Sequence, residues 1–231
     1  MINEYYLIPI VWFGLLLSII IDNLIVLARY SASVLQSNAV GAYLSQVLML
    51  LSRLSVVMFL PVSALLVDLG TKTSTFISLY CFTALSMFVF VLFIFIHRKR
   101  FYIFFMKKVR DVVSSSDEKA INIHLYKFNF KDCKDMIFFS CFIVSSINII
   151  GLTLPIIASS VYTGYSTSLS HLGGFINVFA TLVNTFVLER RMSISFEKNE
   201  PNDRIIVLLT SSRIFSYAFI FFWYTLWTIN T

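Results

Sequence analysis

Six apolar stretches, each near the roughly twenty residues that a helix needs to cross a bilayer, occupy most of this chain and leave few folds open to it. They run from Leu7 to Leu27, Ala39 to Leu60, Ser74 to Ile96, Met136 to Val161, Leu169 to Leu188 and Ile205 to Trp227. The second can continue past Pro61 to Val67, kinked where the proline removes a backbone donor, before Asp68-Leu69-Gly70 stops it. Hydrophobic residues fill 58% of the 231 positions and charged ones 13%, about half the charge of a typical soluble domain; mean hydropathy is +0.83. A surface of that kind belongs in lipid. The long runs lack the alternating polarity of a membrane barrel, so the expected fold is all-α: a single transmembrane domain over residues 1–231, crossing the membrane six times. The first run follows Glu4 rather than a cluster of cations and has no small-residue cleavage site after it, so it reads as a retained span and not as a secretory signal.

Cytoplasmic loops retain Lys and Arg, which gives the arrangement a direction. With six spans, the first, third and fifth connections share one side, and fifteen of the eighteen cations lie there. Lys72 alone falls on the other side, and Arg53 and Arg213 fall within spans. Dropping or adding a span would scramble this asymmetry, so both termini are expected outside the cytoplasm. The cytoplasmic loop 97–135 carries ten of these cations. At its start, Phe101, Phe105, Val109 and Val112 recur at helical spacing among Arg98, Lys99, Arg100, Lys107, Lys108 and Arg110. That pattern predicts an amphipathic helix, lying on anionic lipid or extending the third span, until Ser114 to Glu118 breaks it. Three spans followed by three would have opposite topology if they were repeats, but no sequence echo joins the halves. The net charge of +6 would suggest nucleic acid only on an exposed basic face. Here the cations flank membrane spans, and no nucleic-acid partner is expected.

Charge inside the apolar runs is the strongest functional signal. An ionised group deep in a bilayer costs at least ~2.5 kcal/mol on insertion scales, and such groups turn toward the protein interior. Arg53 lies about fourteen residues into the second span, roughly 21 Å along the axis at the α-helical rise, too deep for easy snorkelling. Arg213 lies about eight residues into the last span, roughly 12 Å by the same measure. Asp22, beside Asn23, sits near the inner end of the first span at a depth similar to Arg213, and the two could pair. If that pair only fixes helix packing, Arg53 stays unexplained. Two guanidinium groups against one carboxylate leave a net positive site, and guanidinium suits bidentate contact with phosphate. Asp22 is also the leading candidate for protonation if transport is proton-coupled. Arg29, at the cytoplasmic end of the first span, and Asn148, in the fourth, complete the polar candidates on that side. In the fifth span Asn177, Thr181 and Asn184 share a helix face, either as interhelical hydrogen bonds or as a hydrophilic wall.

Several chemistries lack their residues. No phosphate-binding loop, zinc-protease motif, nucleophile elbow or intramembrane carboxylate pair is present, and His97, His124 and His171 are scattered. Cys81, Cys133 and Cys141 have no metal-ligand spacing and read as packing residues. Neither a metal nor another cofactor is expected, and a transporter is preferred to an enzyme.

The stretch from Leu44 to Arg53, followed by Phe59-Leu60-Pro61 and Val67-Asp68, resembles the Amj-type lipid II flippases, whose members carry an apolar run ending in Ser-Arg with a proline and an aspartate at similar spacing. Ala28-Arg29-Tyr30-Ser31 is similar to the family's segment just upstream, and Ser170 to Thr181 to its Ser-Gly-x-Ile-Asn-Gly-x-Ala-Thr helix. The matched patches cover about a third of the chain; Val178 replaces a glycine, and the loop from Ser31 to Asn38 lacks the family's basic residues. The resemblance implies a flippase of bacterial peptidoglycan synthesis, moving an undecaprenyl-diphosphate-linked sugar intermediate from the inner to the outer leaflet of the cytoplasmic membrane. Arg53 is the site residue that both the motif and the energetics select. Two other expectations stand beside it: a non-transporting membrane subunit that binds a partner or anionic lipid, and an enzyme acting on an isoprenoid lipid. Six helices enclose only a modest cavity, which leaves room for a homodimer as well as a monomer.

Overall fold

Uninterrupted apolar runs satisfy their backbone only as helices when no water is at hand, and these runs are helical. The computed structural model describes residues 4–113, 125–162, 169, 172–173, 175–176, 179, 182–183, 186, 188, 190–197 and 203–230, and contains no strand among them. The elements are α1 (Glu4–Val34), α2 (Asn38–Asp68), α3 (Thr73–Ile96), α4 (Arg98–Val113), a 3-10 turn (Phe130–Lys134), α5 (Met136–Val161), α6 (Arg190–Glu197) and α7 (Asp203–Asn230). Among the described residues five helices, α1, α2, α3, α5 and α7, are long and apolar enough to span a membrane. The fifth expected span, Leu169 to Leu188, lies partly outside the described residues. Those described within it are helical, and Leu172, Phe175, Phe179, Leu182 and Phe186 are all exposed at spacings of three and four residues, a stripe along one helix face.

α1 and α2 form a tight antiparallel hairpin. The connection Leu35-Gln36-Ser37 folds back on the carbonyl oxygen of Ala32, which accepts from the Leu35 and Ser37 amides at 3.1 and 2.9 Å, with Gln36 left-handed at φ 56°. Glycine permits the close approach at both ends of the pair. A Cβ at Gly41 would stand 2.6 Å from that of Ala32, and one at Gly14 would stand 2.9 Å from that of Phe59. α2 runs unbroken through Pro61, and its C-terminal turn closes on Gly70 at φ 74°. Its contacts beyond α1 are few: it touches α5 and α4 sparsely, and only a third of its apolar stretch is buried.

The rest of the bundle forms around α7, which packs along α3 and α5, while α1 packs on α3. Two apolar clusters result. One gathers Val11, Leu15, Phe59, Tyr80 and Tyr224 toward the end bearing the termini; the other gathers Leu27, Tyr30, Tyr102, Phe105 and Ile206 at the opposite end. Phe82, Phe90, Phe93, Phe139, Phe222 and Trp223 face outward. Exposed aromatic side chains on three helices suit lipid contact and not water.

α4 forms as the spacing predicts, but its apolar face turns to the protein. The helix is interrupted at His97, so α4 is a separate element from α3. Tyr102, Phe105, Met106 and Val109 are buried against α1 and its neighbours, whereas Val112 is exposed. Lys99, Arg100, Lys107 and Lys108 share the opposite, exposed face with Ile103 and Phe104.

Candidate functional site

Four helices bring their polar side chains to one place. A cavity of about 220 Å³ is lined by Ser18 and Asp22 of α1, Ser52 and Arg53 of α2, Ser145 and Asn148 of α5, and Arg213 and Tyr217 of α7. The apolar remainder of its wall includes Leu15, Val56 and Leu152. A second hollow of about 140 Å³ is lined by Arg29 of α1, Cys141 of α5 and Met192 of α6. Asp22, Ser145, Asn148 and Arg213 belong to both. The two hollows therefore meet at the Asp22–Arg213 level.

Arg213 is anchored by α1. Its Nη1 donates to the Asn23 Oδ1 at 3.0 Å and to the Asp22 backbone carbonyl at 3.2 Å. Asn23 is buried, and its amide donates in turn to the Ile19 carbonyl at 2.8 Å. Asn23 thus positions the guanidinium and lines neither hollow. The expected partnership of Asp22 and Arg213 takes the form of this backbone contact, because the carboxylate turns elsewhere: Ser52 Oγ donates to Asp22 Oδ1 at 2.8 Å. Ser52 Oγ also lies 3.1 Å from Ser18 Oγ and 3.4 Å from the Ser18 carbonyl. A chain of two hydroxyls therefore runs from the carboxylate across the α1–α2 contact.

Arg53 is exposed to the cavity and its surroundings, and among the described residues it has no hydrogen bond or ion pair. α2 is 31 residues long, about 46 Å at the α-helical rise, and Arg53 falls near its centre. A charge at that depth without a protein partner needs water or an anion. Of the remaining expected site residues, Arg29 lines the second hollow and Asn148 both, while Asn177 and Asn184 lie outside the described residues.

Sequence reasoning overlooked two of the hydroxyls in the cavity wall. Ser18 and Tyr217 carry no signal of their own, although Ser18 stands four residues before Asp22 and so on its face. It also overlooked a polar knot at the end of the bundle opposite the termini. There Asp203, buried at the start of α7, accepts from the Tyr102 hydroxyl and, at 2.9 Å, from the Tyr126 amide. Arg98 Nε lies 3.6 Å from the same carboxylate, and its Nη2 donates to the Tyr126 carbonyl at 2.7 Å. Burial, and then the Asp203 charge, push the Tyr102 phenol well above its usual range, so it stays a donor. Arg204 adds ion pairs to Asp135 at 3.1 Å and Asp132 at 3.7 Å. Among the described residues no group of His, Cys, Asp and Glu could hold a metal ion.

The arrangement sets two arginines, Arg53 and Arg213, in the wall of one cavity with a single carboxylate, Asp22, among its described lining. No protein-family model, curated protein or solved structure matches the chain.

Proposed function

We propose that this protein is a flippase that carries a polyprenyl-diphosphate-linked glycolipid, of the undecaprenyl lipid II kind, from the inner to the outer leaflet of a bacterial cytoplasmic membrane. The observation that carries the reading is Arg53: an exposed arginine near the centre of a helix apolar enough to span a membrane, lining the same small cavity as Arg213 and left without a protein partner among the described residues. The diphosphate is held by these two groups, and the cavity is below the roughly 300 Å³ at which pockets for whole drug-sized ligands begin. It therefore accommodates the diphosphate and leaves the sugar in the adjoining space. The polyprenyl tail stays in the hydrocarbon throughout. No bond is made or broken; the protein lowers the barrier by replacing the water around the phosphates with fixed donors. The sugar class and the direction of movement both rest on the resemblance of the Arg53 segment to lipid II flippases; the cation asymmetry supports only the orientation of the protein.

Purified protein in liposomes is expected to accelerate headgroup translocation of lipid II in a leaflet-resolved assay, and Arg53→Ala to return the rate to that of empty vesicles while the protein remains folded. A fully active Arg53→Ala protein rejects the reading. Purified protein that moves no lipid but retains a stable partner favours a non-transporting subunit.

A further inference from the structure

Asp22 occupies an unusual position for a membrane carboxylate. It lines both hollows, its carboxylate is held by a hydroxyl and not by a guanidinium, and it stands beside the place where the anion is expected. The charged and titratable groups that face those hollows with it are Arg29 of its own helix, Arg53 of α2, Cys141 of α5, and Arg213 and Tyr217 of α7. No second carboxylate lines either hollow among the described residues.

We propose that Asp22 is a proton-binding site linked to the anion: a diphosphate seated between Arg53 and Arg213 drives Asp22 to take up a proton, so that lipid and proton are loaded together. The inference rests on the flippase reading and adds its coupling ion. Two observations support it. A hollow of about 220 Å³ places any bound phosphate within the range over which one negative charge opposes ionisation of another. The immediate neighbour of the carboxylate also accepts either protonation state. With Asp22 ionised, Ser52 Oγ donates to it. With Asp22 protonated, Ser52 Oγ accepts from it and turns its own hydrogen to the Ser18 hydroxyl or carbonyl, both already within 3.4 Å. Neither state strands a buried polar atom, which is what a reversible proton site requires. An Asp22 locked onto a guanidinium would lack this freedom.

The test uses farnesyl diphosphate as probe and the full-length protein in zwitterionic nanodiscs. Binding is measured from pH 6 to 8 by calorimetry in two buffers of different ionisation enthalpy, for the wild type and Asp22→Asn. The wild type takes up protons beyond those the probe itself exchanges, and the asparagine variant does not. The ratio of wild-type to variant Kd rises with pH, by up to about tenfold per pH unit for one linked proton, because the neutral amide mimics the loaded state at every pH. Ser52→Ala supplies the second measurement: it removes the donor to the charged form and moves the midpoint of proton uptake to higher pH. Identical pH dependence in wild type and Asp22→Asn overturns the proton site and leaves the flippase reading standing. Failure of the wild type to bind farnesyl diphosphate at any pH overturns both.

Discussion

A guanidinium in hydrocarbon is conspicuous in any sequence, and for that reason Arg53, Arg213 and Asp22 are legible from the amino-acid order alone. The apolar letters around them give each a depth, and depth gives the shared site. Serine is different. In a membrane helix it satisfies itself on the carbonyl four residues back, as Ser31 does on Leu27 and Ser63 on Phe59, so its presence says nothing about a site. Only packing of α1 on α2 singles out Ser18 and Ser52. Asp203 is hidden for a related reason: at the edge of a span it reads as a loop residue, whereas the fold buries it against Tyr102. Tyr102→Phe leaves that carboxylate one donor short, and a loss of about 1–3 kcal/mol is expected in detergent unfolding. Asn23→Ala frees the Arg213 guanidinium from its side-chain acceptor. The expected outcome is a raised KM for lipid with expression retained, measured in the same leaflet-resolved assay, since Asn23 lines neither hollow and holds Arg213.

Helix limits are readable from the sequence for some elements and not others: α1 runs to Val34, seven residues past the expected Leu27. α3 and α5 match their expected ranges to within a residue, and α2 continues through Pro61 as the apolar run suggests. Which face of α4 meets what is not readable, because Phe105 and Val109 would suit a lipid surface and a helix bundle equally. In the fold the two faces do different things. One seals the bundle, and the other presents Lys99, Arg100, Lys107 and Lys108 beside exposed Ile103 and Phe104. Attraction of about 1 kcal/mol per cation near an anionic leaflet predicts that transport rises with anionic lipid content in the vesicles. Changing the four cations to glutamine should flatten that dependence without unfolding the protein. The α1–α2 hairpin makes a sharper demand. Gly41 has no room for a Cβ beside Ala32, and Gly41→Val should cost about 1–3 kcal/mol of overpacking, read as a lowered unfolding temperature.

For the whole molecule, the cation asymmetry predicts that the 3-10 turn and the Asp203 knot lie on the cytoplasmic side and both termini opposite. Cys133, in that turn, gives a direct check. With Cys81 and Cys141 changed to serine, a membrane-impermeant maleimide should label Cys133 in inverted vesicles and not in intact cells. The sparse contact between α2 and α5 bears on how a lipid with a tail of many isoprene units could be served at all. Such a tail has no need to thread through the protein if one wall of the polar hollow opens sideways. The hairpin is tightly joined within itself and loosely joined to α5, so on the flippase reading its seam with α5 is the expected point of entry for phosphates from the membrane plane, with the hydrocarbon left outside. Tryptophan in place of Val56 or Leu152, which line that hollow from either side of the seam, should close the door on the headgroup and halt flipping in a protein that still assembles.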